Sequence, residues 1–217
     1  MDIDKIFIIN LEHRTDRKEQ IIKEMKKVGI TNYEFFKAIR PSIADIISWN
    51  NFYCNHVRSS FEPKRFLNYQ IGCLGCLKSH VEVCKLALSR GYKNILILED
   101  DTEFLYGMEN LYKYASQINN KYSMLYLCGS HLGSKKQVSE NIIKVVGTHT
   151  TGSYLIKEAA MRFLVDHIQS YGKEIDVFYG TILQYNLDCY CTYPHITKQR
   201  DGYSDIQQGE VSYKTAI

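Results

Sequence analysis

Proline is nearly missing from the 217 residues, with three in all, and tryptophan occurs once. So few prolines beside 17 tyrosines exclude a proline-rich linker or a disordered chain. No apolar run is long enough to span a bilayer, so no transmembrane segment is expected. Asp2, Asp4 and Lys5 fall where the apolar stretch of a signal peptide would begin, so the expected location is cytoplasmic. Charge of one sign is not in excess either. A net charge of +3 is too small to argue for nucleic acid, and no such partner is expected. No repeat, low-complexity stretch or Pro/Gly/Ser linker divides the chain, which predicts one domain over residues 1–217. Seven cysteines, an odd number without an export signal, point to reduced, buried thiols. Cys73-x-x-Cys76 and Cys189-x-Cys191 have spacings a zinc site can use. The first pair reads as helix and the second as strand, not as knuckle turns, so core thiols are expected.

What is present is an alternation of short apolar runs with helical periodicity. Strands are predicted at Lys5–Asn10, Tyr33–Lys37, Ile95–Leu98, Met124–Cys128, Ile142–Val146, Ser153–Ile156 and Cys189–Tyr193. Helices are predicted over Asp16–Val28, in a short stretch after Ser42, over Ile71–Arg90, Gly107–Ile118, Lys157–Gln169 and Asp176–Tyr185. Thr15 reads as a cap and Gly29 as a stop for the first helix. Strands alternating with helices give an α/β domain with a mostly parallel sheet. Residues 49–68 are polar, aromatic and irregular, and read as a loop or lid. Residues 195–217 are polar without a clear period and read as a C-terminal extension.

The most informative stretch is Asn94-Ile-Leu-Ile-Leu-Glu-Asp-Asp-Thr102. A run with the character of a fully buried strand ends in Glu99, Asp100 and Asp101, at the edge where open α/β sheets bind ligands. Strand alternation predicts Glu99 and Asp101 on one face and Asp100 on the other. Three adjacent acids repel each other, and a divalent ion such as Mn²⁺ or Mg²⁺ would cancel that repulsion.

Other segments carry weaker signals. Asn10-Leu-Glu-His-Arg-Thr-Asp-Arg17 gathers amide, guanidinium and carboxylate groups at a strand end just before a helix. Arg14 and Arg17 there suit phosphate, and Asn10 a base or ribose edge. The plain alternative is a solvated first helical turn. Gly72-Cys-Leu-Gly-Cys-Leu-Lys-Ser-His80 places two glycines in a helix, each costing about 1 kcal/mol, which makes sense if the backbone comes close to something. Ser79 and His80 interrupt its inward face. Gly152 and Ser153 open a strand after Thr148-His-Thr-Thr151, as a bulge or as a floor under a sugar. Asp176 opens a helix, where an acid is normally a cap or dipole partner. Asp205 lies in late coil and is able to return a further carboxylate to a metal. Tyr69, Tyr154, Phe178 and Tyr179 are candidates for lining sugar and acceptor sites.

Together these pieces resemble glycosyltransferase family 25: Ile9-Asn-Leu with Arg14 and Asp16-Arg17, Gly72-Cys with Ser79-His80, Leu96-Ile-Leu-Glu-Asp-Asp, Gly152-Ser-Tyr-Leu-Ile, Asp176-Val-Phe and Gly202-Tyr-Ser-Asp-Ile. They follow the family's order along nearly the whole chain. Ala38-Ile-Arg-Pro departs from the family's Ala-Val-Asp-Gly-like turn. The resemblance implies a GT-A-type, Rossmann-like fold, a UDP-sugar donor, Mn²⁺ (or Mg²⁺) and an inverting transfer of glucose or galactose to a glycan or a collagen hydroxylysine. It implies donor contacts around Asn10, Leu11, Arg14, Arg17, Ala38, Gly72, Ser79, His80, Glu99, Gly152 and Ser153. Metal ligation is implied for Asp101 and Glu99, with Asp205 as a further ligand. The catalytic base is expected at Asp176, with Asp100 as the alternative.

Rival readings are less well served. A nucleotidyltransferase usually has a glycine-rich loop where this chain has Asn10-Leu-Glu-His-Arg. A phosphatase or nuclease calls for acids on at least two strand ends. A non-catalytic nucleotide-sugar-binding module of the same fold is distinguished by release of UDP.

Overall fold

The chain is described by a computed structural model over residues 2–50 and 63–213. Its first half runs β1 (Lys5–Asn10), α1 (Thr15–Lys27), β2 (Tyr33–Lys37), α2 (Ile43–Asn50), α3 (Pro63–Ser89), β3 (Asn94–Glu99), β4 (Thr102–Phe104) and α4 (Met108–Ser116). There follow β5 (Met124–Tyr126), β6 (Ser130–His131), β7 (Lys135–Ser139), β8 (Ile142–Val145), β9 (Thr148–His149), β10 (Ser153–Lys157) and α5 (Glu158–His167). The chain then forms α6 (Ile175–Phe178), which a π-helical turn carries onward, β11 (Cys189–Thr192), β12 (Thr197–Gln199), β13 (Gly202–Ser204) and β14 (Gly209–Val211).

The apolar runs of β1 and β3 are continuous because both of their faces are covered. Phe7, Ile9, Ile95 and Ile97 point into one cluster with Leu74, Val81, Met161 and Leu164 of α3 and α5. Ile6, Ile8, Leu96 and Leu98 point into the other with Ile21, Met25 and Leu111 of α1 and α4. Period-2 alternation thus feeds two cores at once, the pattern of an α/β sheet. The eight-stranded sheet has the order β2-β1-β3-β10-β5-β11-β8-β7. β1 is parallel to β2 and β3, and β5 is parallel to β11; β10, β8 and β7 join antiparallel, so the sheet is mixed. β7 has no sequence signal, since Lys135-Lys-Gln-Val-Ser139 is a mostly exposed edge with no inward face to mark it.

Helix ends depart from expectation in instructive ways. α1 is capped from Arg14 with no side-chain hydrogen bond, and Thr15 is already helical, while Gly29 at φ +69° does stop it. Ser42 and Asp45 exchange hydrogen bonds in a capping box that starts α2. α3 begins at Pro63, eight residues before Ile71, with proline at its first position, where its missing N–H is harmless. Of the predicted lid over residues 49–68, Trp49 and Asn50 end α2, residues 63–68 belong to α3, and residues 51–62 lie outside the described residues. The early start of α3 puts Gly72 and Gly75 in its interior, and what approaches them is protein. A Cβ at Gly75 would lie 2.6 Å from the Ile39 carbonyl oxygen, and one at Gly72 would lie 2.9 Å from the Cα of Ile206.

Candidate active site

β2, β1 and β3 run parallel, so their carboxyl ends open side by side, with Lys37 beside Asn10 and Ile9 beside Glu99. Three connections leave from this edge: Ala38 to Arg40, Asn10 to Arg14, and Asp100 to Asp101. α3 closes one side with a stripe of small and polar residues, Gly72, Gly75, Cys76, Ser79 and His80. They recur at i, i+3, i+4, i+7 and i+8, while Leu74, Leu77 and Val81 face the core. Residues 204–213 close the other side. The resulting cleft is lined by Glu99, Asp100 and Asp101, by Arg17, and by Asp205 and Tyr213, among others.

The acids do not alternate as a continued strand would place them. β3 ends at Glu99 and the chain turns, so all three carboxylates reach the same cleft. Each is held differently. Glu99 accepts from Thr151 Oγ1 at 2.6 Å and from His80 Nε2 at 3.3 Å. His80 is 1% exposed, and its Nδ1 lies 2.7 Å from Tyr154 Oη. Burial opposes ionisation of Glu99, but the hydrogen bonds from His80 and Thr151 and the charge of Arg17 outweigh it and hold its pKa below the usual value. Asp100 accepts from Arg17 Nη1 at 2.9 Å and from Asn10 Nδ2 at 2.8 Å, and burial still pushes its pKa up. Asp101 has Arg17 at 3.4 Å and the Gln199 side chain as partners, and its Oδ1 is buried without a hydrogen-bond partner among the described residues. Burial and the neighbouring charge of Glu99 push its pKa up to about 7.

That orphaned oxygen among three acids is the observation that fits a divalent cation, because a hard cation would satisfy Oδ1 and remove the repulsion. The expected ligand set of Asp101, Glu99 and Asp205 is not assembled in this geometry. Asp205 lines the cleft but is ion-paired with Arg14 and lies 3.6 Å from His13. Glu99 instead stands in a three-residue group with Cys76 and His80, whose donor atoms lie within 4.8 Å of one another.

The other expected donor residues divide into three kinds. Leu11, Arg17, Ala38, Gly72, Ser79, His80 and Glu99 line the cleft. Asn10 and Arg14 are not lining residues but hold lining ones, Asp100 and Asp205. Gly152 and Ser153 lie outside the lining. The Gly152 carbonyl accepts from Glu99 N and Thr102 Oγ1, both at 2.8 Å, and Ser153 Oγ is 2.5 Å from Thr197 Oγ1. Both therefore shape the turn beneath the acids. Ser79 is also structural: it donates to Gly75 O at 2.6 Å and accepts from Ile39 N at 2.8 Å, fastening the strand-end loop to α3. Tyr154, Phe178 and Tyr179 are core residues at 0%, 1% and 0% exposure, because their rings fill the space between the sheet and its helices.

Asp176 is not among the lining residues of the cleft. Its Oδ1 caps the N–H of Val177 at 2.8 Å, and its Oδ2 lies 3.4 Å from Thr150 N and 3.8 Å from His149 Nδ1. Burial is outweighed by His149 and these N–H groups, so its pKa lies below the usual value. Thr150 and Thr151 are consecutive, and the second of them contacts Glu99, so the Asp176 corner adjoins the acids. Sequence reasoning missed Thr151, Gln199, Arg40 and Cys76. Cys76 alone carried a usable signal, its place on the small-polar stripe of α3.

Comparison with known proteins agrees with this architecture. A family model described as glycosyltransferase family 25 (LPS biosynthesis protein) matches residues 3–179. A Drosophila melanogaster glycosyltransferase 25 family member is 24% identical over 76% of this chain and 28% of its own length. A procollagen lysyl hydroxylase and glycosyltransferase of Acanthamoeba polyphaga mimivirus is 24% identical over 90% of this chain and 25% of its own length. The chain thus spans about a quarter of these relatives. Among solved structures, apo UDP-glucose pyrophosphorylase superposes with a TM-score of 0.51 at 7% identity, covering 92% of each chain, a likeness of fold. No described helix is long and apolar enough to cross a membrane. With the family model covering most of its length, the chain belongs to glycosyltransferase family 25.

Proposed function

We propose that this chain transfers a hexosyl group, glucose or galactose, from a UDP-sugar to an acceptor hydroxyl with inversion and with help from a divalent cation. The observation that carries the reading is the buried, unpartnered Oδ1 of Asp101 beside Glu99 and Asp100 at the carboxyl end of a parallel strand. Asp101 would hold Mn²⁺ or Mg²⁺, with Glu99 beside it, and Asp205 would be a further ligand once released from Arg14. The bound ion supplies charge neutralisation of the departing diphosphate.

The chain's own residues do the rest. Arg17 fixes the orientation of Asp100 and Asp101 from α1. His80 and Thr151 hold Glu99 ionised. Arg14, freed from Asp205, faces the diphosphate as a counter-charge. The acceptor proton goes to a carboxylate. Asp176 suits that role better than Asp100, because its Oδ2 has only long contacts, whereas both oxygens of Asp100 are occupied by Arg17 and Asn10. A glycan or a hydroxylysine in a collagen-like chain is the proposed acceptor, supported by the name of the mimivirus relative.

The test is a panel of UDP-sugars with and without Mn²⁺. UDP release from UDP-glucose or UDP-galactose that depends on the ion is expected. Donor binding without release would make the chain a binding module, and neither binding nor release with any UDP-sugar would end the reading.

A further inference from the structure

His131 on β6 meets Cys191 on β11 and His195 just beyond it away from the cleft, since none of them lines it. One ring nitrogen from each histidine and the sulfur of Cys191 lie within 4.8 Å of one another. Cys191 is fully buried and His195 is 8% exposed. His131 Nδ1 lies 2.7 Å from Thr148 Oγ1 on β9, and its Nε2 is buried with no hydrogen-bond partner among the described residues. Donation of an Nδ1 proton to Thr148 would leave Nε2 with a bare lone pair. An unmade buried hydrogen bond costs about 1–3 kcal/mol, so a partner for that nitrogen is needed.

We propose that His131 Nε2, Cys191 Sγ and a ring nitrogen of His195 bind one Zn²⁺ ion, at a site distinct from the donor cleft. Two imidazoles and a thiolate are the donor set of borderline-soft Zn²⁺, whereas Mn²⁺ and Mg²⁺ prefer oxygen. Zinc bonds of about 2.0–2.3 Å would draw the donor atoms to roughly 3.4 Å apart, a closure that small side-chain rotations provide. The hydrogen bond to Thr148 is the outer support that metal-bound histidines normally have. On binding, the Cys191 S–H bond breaks, the S–Zn bond forms and the proton leaves to solvent, with no change of oxidation state. Three protein ligands are present among the described residues, which leaves a fourth tetrahedral position for water. The ion would tie β6 to the segment leading into β12, whose Gln199 amide reaches Glu99 at 3.4 Å.

Protein stripped with a chelator and titrated with Co²⁺ tests this directly. The expected result is a thiolate-to-cobalt charge-transfer absorption that saturates at one equivalent and is displaced by Zn²⁺. Cobalt on carboxylates alone gives no such absorption, and a band from the Cys76 thiol of the donor cleft is separated by substitution. Cys191→Ser should abolish the band, and Cys76→Ser, which removes the thiol beside His80 and Glu99, should keep it. If Cys191→Ser fails to fold, His131→Gln at a half-buried position should weaken Zn²⁺ binding by about 10-fold or more. Absence of the band in folded wild-type protein, its loss in Cys76→Ser alone, or unchanged Zn²⁺ affinity in His131→Gln would each overturn the proposal.

Discussion

Arg17 Nη1 stands 2.9 Å from Asp100 Oδ1, although 83 positions separate the two in the chain. The same guanidinium reaches Asp101 at 3.4 Å and the Tyr203 carbonyl at 2.8 Å, so one side chain joins α1, the acidic turn and the C-terminal segment. The strand-end acids therefore rest on a counter-charge from the first helix.

Removing that counter-charge should be costly. Arg17 is 14% exposed, and its loss would leave the buried Asp100 without its counter-charge and push Asp101 further towards its neutral form. Arg17→Ala is expected to lower stability by about 3 kcal/mol in urea unfolding at neutral pH. The loss should shrink at acidic pH, where both carboxyls are protonated. A loss that does not depend on pH would mean that Arg17 acts through packing alone.

Asp101 should behave in the opposite sense. Its carboxyl is neutral in both states at low pH; as pH rises from 3.8 towards about 7 the unfolded chain ionises first, which penalises the folded state. Asp101→Asn should therefore stabilise metal-free protein by on the order of 2 kcal/mol above pH 7 and do nothing near pH 3. It should also remove any rise in melting temperature given by Mn²⁺. Retained stabilisation by Mn²⁺ would move the cation away from Asp101.

Asp176 and His149 form a pH-dependent pair. The Asp176 carboxylate 3.8 Å away raises His149 above its ordinary 6.5 despite opposing burial, and Asp176 itself is held below 3.8. The raised histidine contributes stability below 6.5 that fades as pH climbs through its folded pKa. The depressed acid contributes above 3.8 and fades as pH falls through its own. Asp176→Asn should thus destabilise most between about pH 4 and 6.5, and the His149 titration followed by NMR should shift down. Under the proposed base role, transfer should fall about 10²-fold or more with UDP-sugar binding retained. Undiminished turnover would point to Asp100.

Gly75 tests the packing of the cleft wall. Alanine in a helix interior ordinarily gains about 1 kcal/mol over glycine. Here its Cβ would lie 2.6 Å from the backbone oxygen of Ile39, which cannot swing aside as a side chain would. Overpacking of about 1–3 kcal/mol should outweigh the propensity gain, so Gly75→Ala should lower the melting temperature. A rise would mean that the loop after β2 yields freely.

Much of the fold was legible in the residues themselves. Ile6 to Ile9 and Ile95 to Leu98 specify two-sided burial, Gly29 and Gly91 stop helices at positive φ, and Ser42 with Asp45 specifies a helix start, because each signal rests on contacts made within a few residues. The acids at 99–101 stood out for the same reason, since no local packing explains them. The tertiary structure alone decided how they are held. The turn after Glu99, Arg17 from α1 and His80 from α3 distribute partners so that one oxygen of Asp101 is left over, an outcome set by groups 19 to 83 residues away. It likewise brought His131 to the segment holding Cys191 and His195, which lies far from it along the chain, because the fold brings together residues that the chain keeps apart.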